Sequence, residues 1–159
     1  MSTRTDGNKT IIGILQDCVN AETTSRNLYW ARSVFWRNVG LHRLVKYYLK
    51  QSQEDHAQRN ADRMAFLGSQ PKIEPTAVGI FDSENSIAGQ FQVDLKVEME
   101  LAGSYSGGIK VAEDAGDYVT RKMWTKILKS TQKHIQFLKG ELAQIALIGE
   151  DNYLASWIG

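Results

Sequence analysis

The stretch SQEDHAQ, residues 52–58, places Glu54, Asp55 and His56 side by side. An acid-x-x-His step sets both groups on one helix face, where they can share an ion. Here the ingredients are out of phase. His56 has Gln53 three residues before it, and Asp55 has Gln58 three residues after it. Glu22, Asp55, Glu98 and His134 each fall on a stripe of core spacing, one on each long periodic segment. A carboxylate buried without a partner is costly. Four such groups meeting near mid-bundle could instead hold a cation, because carboxylate oxygens neutralise it and imidazole nitrogen suits Fe(II).

The elements that must position these groups follow from periodicity. The first helix is expected over 9–38, with Ile11, Leu15, Cys18, Glu22, Ser25, Tyr29 and Trp36 at alternating three- and four-residue steps. Gly40 breaks it. A second, continuous helix is expected over 41–67, with Leu41, Leu44, Tyr48, Asp55 and Phe66 near one stripe. The breaker-rich GSQPKIEPTAVG, residues 68–79, reads as a long crossover. A third helix over 83–115 carries Ile87, Phe91, Asp94, Glu98, Tyr105 and Ile109. Its Gly103, Gly107 and Gly108 imply either weakness or close packing. After AGD at 115–117, a fourth helix carries Met123, Ile127, Thr131, His134, Leu138 and Ile145. Gly149 ends it, and DNYLASWIG forms a short tail helix. Four long helices with one crossover define an all-α, antiparallel four-helix bundle with a short C-terminal fifth helix.

Composition narrows the functional classes. A chain of 159 residues suits one domain. We expect a flexible N-terminus over 1–8 and a single domain over 9–159. With a formal net charge of +1, bulk charge recruits neither nucleic acid nor membrane. Cys18 is the only cysteine, which excludes an internal disulfide framework and fits a reducing compartment. No apolar stretch approaches a membrane span, and MSTRTDGNK lacks a signal-peptide core. A cytoplasmic location is therefore expected. Tyr29, Tyr105 and the tryptophans read as packing groups, Cys18 as a small buried apolar residue, and His42 as solvated.

Convergence of one ligand from each of four helices is the plan of di-iron carboxylate proteins. The chain resembles the bacterioferritins in WRNVGLHRL (36–44), DLKVE (94–98), DYVTRKM (117–123), LKSTQKHIQFL (128–138) and IGEDNYL (148–154). The resemblance implies a ferritin-like bundle, an iron cargo and a hollow twenty-four-subunit shell. It also implies a di-iron ferroxidase centre built from a Glu, a Glu-x-x-His step, a second Glu and a second Glu-x-x-His step along the four helices. Glu22, Glu98 and His134 match that pattern. Thr131 stands where the fourth-helix Glu is expected. In the ungapped register Asp55 and Gln58 take the second-helix Glu and His positions, and His56 takes that of the haem-ligating Met.

A competing register aligns HAQRNADRMAFLGSQP with the family's HA-x-D-R-x-F-L-G-x-P run. It makes His56 the metal ligand and Gln53 its partner, at the expense of a two-residue deletion inside the helix. Two residues turn a helix face by about 200°, so the ungapped register is preferred. On that basis the expected metal ligands are Glu22, Asp55, Glu98 and His134, with Gln58 and Thr131 as degenerate positions. His56 is expected to ligate a haem b at a two-fold interface. The expected function is a storage-shell subunit with an incomplete di-iron centre, in a homo- or hetero-oligomeric shell with ferroxidase-competent bacterioferritin subunits and an electron-donor protein. An active ferroxidase and a structural or regulatory bundle without iron chemistry are the alternatives.

Overall fold

A computed structural model of the chain describes residues 3–74 and 86–158. The helices are α1 (Thr3–Asn38), α2 (His42–Ser52), α3 (His56–Phe66), α4 (Ile87–Asp114), α5 (Tyr118–Ile148) and α6 (Glu150–Trp157). The all-α bundle with a short C-terminal helix is thus as expected. Helix α1 begins at Thr3, ahead of the point where its apolar periodicity starts. Residues 75–79 of the expected crossover lie outside the described residues, as does the expected start of the third helix near Ser83.

Local chemistry sets the helix ends. Ser86 caps α4 by accepting a hydrogen bond from the Gly89 N–H, and Asp117 caps α5 by accepting one from Thr120 N–H. Gly116, at φ +73°, supplies the left-handed residue between those helices. Gly108 lies against Trp124, and a Cβ there would come within 2.9 Å of the indole ring. Close packing therefore explains this glycine in mid-helix.

The core faces of α1, α4 and α5 follow the expected stripes. Ile11, Leu15, Cys18, Glu22, Ser25, Tyr29 and Trp36 are all buried on α1, as are Ile87, Phe91, Asp94, Glu98 and Tyr105 on α4. Two apolar clusters result. One joins Tyr29, Trp36, Leu44, Tyr48, Phe91, Leu138 and Tyr153. The other joins Ile11, Leu15, Met64, Leu101, Tyr105, Trp124 and Ile127. Helix α2 feeds the first cluster and α3 the second.

The continuous helix expected over 41–67 is corrected. Residues Gln53, Glu54 and Asp55 interrupt it. Gln53 N–H donates to Lys50 O and Glu54 N–H to Gln51 O, each at 3.2 Å, so the chain tightens into three-residue turns before α3 starts. Buried positions on α2 are Leu44, Val45, Tyr48 and Gln51. Continuing that stripe would bury 55 and 58, yet α3 buries Ala57, Asn60 and Met64. The interruption delays the phase by two positions, so each half faces its own core.

Candidate metal centre

Between the two apolar clusters lies a polar layer. Helix α1 contributes Glu22, Ser25 and Tyr29, the α2–α3 turn contributes Glu54, and the first residue of α3 is His56. Glu98 comes from the middle of α4 and His134 from the middle of α5. The acids and imidazoles alternate. His56 Nδ1 lies 3.5 Å from Glu22 Oε1, and His56 Nε2 lies 3.0 Å from Glu54 Oε2. The other Glu54 oxygen is 3.3 Å from His134 Nε2, and His134 Nδ1 is 3.7 Å from Glu98 Oε2. The resulting chain reads Glu22–His56–Glu54–His134–Glu98, with Glu54 shared between two Glu–His pairs.

A second layer of hydrogen bonds orients these groups. Tyr105 OH donates to Glu22 Oε1 at 2.6 Å and accepts from Asn60 Nδ2 at 3.0 Å. Asn60 is in turn fixed by Trp124 Nε1–H at 2.8 Å. On the other side, Tyr29 OH donates to Glu98 Oε1, and Ser25 Oγ donates to the same oxygen at 3.5 Å. Ser130 Oγ donates towards the two Glu54 oxygens at 3.4 and 3.3 Å. Such outer partners hold a ligand in one orientation and tune its basicity.

Electrostatics follow from this alternation. Burial opposes a charge on His56, but the Glu22 and Glu54 carboxylates outweigh it and raise the imidazolium pKa to about 10. His134 is raised to about 9, again against burial, by Glu54 and Glu98. Burial alone would raise Glu54, but hydrogen bonds from both imidazoles hold it well below the ordinary carboxylate range. Burial and the Glu98 charge push the Tyr29 hydroxyl upwards, so it remains a donor.

Three carboxylates, two imidazoles and the Ser25 and Tyr29 hydroxyls are donors that suit a hard or borderline divalent ion, and Arg26 lines the same cavity. A cavity of about 20 Å³ lies between them, space for about one water-sized occupant. Among the described residues, no three His, Cys, Asp or Glu side chains converge as ligands of a single ion. They are joined pairwise, so an ion would enter by parting imidazoles from carboxylates. A larger recess of about 490 Å³ opens beside the α2–α3 turn, and Glu54 and His56 line it as well as the inner cavity.

Three of the expected ligands, Glu22, Glu98 and His134, meet in this layer. Asp55 does not. Its carboxylate is 59% exposed and pairs with Arg59 at 2.9 Å. Gln58 is also exposed, donating to Asp62 at 2.7 Å. Thr131 is buried next to His134, but its hydroxyl donates back to Ile127 O at 3.1 Å. His56, expected as a haem ligand at a two-fold interface, directs both ring nitrogens to carboxylates of the site. The reason is the same phase delay that moved Asp55 outwards.

Glu54 is the residue that periodicity missed. Two residues from His56, it cannot share a face with it on a regular helix, because i and i+2 point apart. Only a turn brings them together. For His56 the sequence carried a signal, since the competing register placed it among the ligands by the HAQRNADRMAFLG run, but that register partnered it with Gln53 and not with Glu54.

A family model described as ferritin-like domain matches residues 12–148. The chain belongs to that family. It is 29% identical over 153 residues to a bacterial ferritin of Neisseria meningitidis serogroup B, covering 94% of this chain and 97% of that protein. A bacterioferritin of Brucella melitensis biotype 1 is 28% identical over 152 residues, covering 92% and 91%. One from Mycobacterium leprae is 25% identical over 154 residues, covering 96% of each. The resemblance to bacterioferritins read from the sequence is borne out along nearly the whole chain.

Proposed function

We propose that the chain is an iron-storage subunit of a bacterioferritin-like, twenty-four-subunit cytoplasmic shell. Its metal centre consists of Glu22, Glu54, His56, Glu98 and His134. The observation that carries this reading is the alternating acid–imidazole chain across all four bundle segments. Fe(II) is the substrate and cargo. One ion is held by Glu22 and His56, a second by Glu98 and His134, with Glu54 between them. Each imidazole must lose its proton to bind, so iron competes with protons at this site.

The centre is short of one carboxylate relative to the family pattern, because Thr131 offers a neutral hydroxyl. Three carboxylates leave two Fe(II) ions with an uncompensated positive charge. The second ion is accordingly held weakly and oxidation by dioxygen is slow. Such a subunit works best in a mixed shell with ferroxidase-competent bacterioferritin subunits, where it adds storage capacity and nucleation surface. Haem b is not assigned to His56, whose nitrogens both face the centre.

A second reading, an active ferroxidase in its own right, draws on Glu54, which sits where a bridging carboxylate would serve both ions. Stopped-flow oxidation of Fe(II) by the purified, assembled protein separates the two. A slow phase that accelerates when a ferroxidase-competent subunit is co-assembled supports the first reading. Rapid, saturable turnover of two Fe(II) per subunit by the chain alone supports the second. Shells that oxidise no faster than buffer and retain no iron would leave a structural bundle.

A further inference from the structure

The side chain of Gln51 has no role in the account above. It lies in the last turn of α2, just before the helix breaks. Only 8% of the residue is exposed, and it lines the same inner cavity as Glu22, Glu54, His56, Glu98 and His134. Its Oε1 has no hydrogen-bond partner among the described residues. Every carboxylate around that cavity has at least one. Buried acceptors are nearly always satisfied, and an exception calls for a cause. A cation is a suitable partner, since amide carbonyl oxygens are hard donors that ligate divalent ions without adding charge.

We propose that Gln51 Oε1 is a ligand of the metal centre, a neutral oxygen donor that completes coordination where the fourth carboxylate is lacking. This rests on the metal-centre reading above and adds a residue to it. Thr131 is an alternative for that role, but unlike Gln51 it does not line the cavity. The α2 stripe of Leu44, Tyr48 and Gln51 points into the core up to the break, so the side chain enters the centre on regular helical spacing. The break then supplies Glu54 and His56 from the following turn. A neutral donor fills a coordination position while leaving the ions' charge uncompensated, so the centre binds with less grip than one with four carboxylates.

The test is Co(II) titration of the assembled wild type, Gln51→Leu and Gln51→Glu. Visible ligand-field absorption reads the coordination, equilibrium dialysis the stoichiometry, and circular dichroism the fold. Gln51→Leu is expected to weaken Co(II) binding about tenfold and to shift the visible band. Gln51→Glu is expected to tighten binding by about tenfold, the scale on which single groups around a metal act. Wild-type affinity and spectrum in both variants would overturn the role of Gln51 and leave the centre intact. Weaker binding with an unaltered band would also overturn it, by placing Gln51 behind the ligands. Absence of Co(II) binding in the wild type would instead remove the metal-centre reading itself. If Gln51→Leu fails to fold, Gln51→Glu decides alone, and unchanged affinity there counts against the proposal.

Discussion

One side of the acid–imidazole layer stands on α4 and α5, helices of 28 and 31 residues that run past it without interruption. The other side stands on two helices of 11 residues each, joined by a turn inside that layer. On the unbroken side, Glu98 and His134 sit where the core stripe places them. On the broken side, the groups that face inwards are neither the ones on that stripe nor at acid-x-x-His spacing. A helix fixes which residues face the core only as long as it stays regular. Each short helix here is held by a different apolar cluster, so its phase is set by packing rather than by its neighbour. The turn between them absorbs the difference and delivers Glu54.

The largest test of this contrast is to remove one imidazole from each side. His56→Ala and His134→Ala should each weaken metal binding on the order of 100-fold, at the upper end for groups that support a metal. Comparable losses in Fe(II) or Co(II) affinity show that both sides bind. A loss confined to His134→Ala would return His56 to the periphery and with it the Glu54 turn.

Next in size is repair of the unbroken side. Thr131→Glu should speed Fe(II) oxidation by about tenfold by restoring a fourth carboxylate, a gain read by stopped-flow absorbance. Gln58→His, placed on the exposed face of α3, should leave that rate unchanged. A gain from Gln58→His would mean that α3 is rotated from the orientation described.

The metal-free protein should also lose thermal stability in alkaline solution. The folded-state pKa values of His56 and His134, about 10 and about 9, lie above the ordinary value of 6.5. Their contribution is therefore complete below about pH 6.5 and lost as pH rises through 9 and 10. Calorimetric melting temperatures should fall between pH 7 and 10, and the slope should flatten in the His56→Gln/His134→Gln double variant. An equally steep slope in that variant would assign the alkaline loss to other groups.

The smallest effect belongs to Asp55. Asp55→Ala removes an exposed i,i+4 pair with Arg59 and should change stability by about 0.5 kcal/mol or less. Co(II) affinity should not change. A marked loss of metal binding would restore Asp55 as the ligand in place of Glu54.

By itself the sequence determined the helical bundle, its breaks at Gly40, 115–117 and Gly149, and the inward stripes of α1, α4 and α5. Long amphipathic periodicity and strong turn residues leave little room for another arrangement. It also determined that Glu22, Glu98 and His134 would meet, because regular helices carry spacing into space. Only the tertiary structure decided which of Glu54, Asp55 and His56 faces the centre. No glycine or proline marks the break at 53–55, and local propensity there favours an unbroken helix as readily as two. Two separate apolar clusters each claim half of the segment, and the phase mismatch between them is a property of the folded bundle.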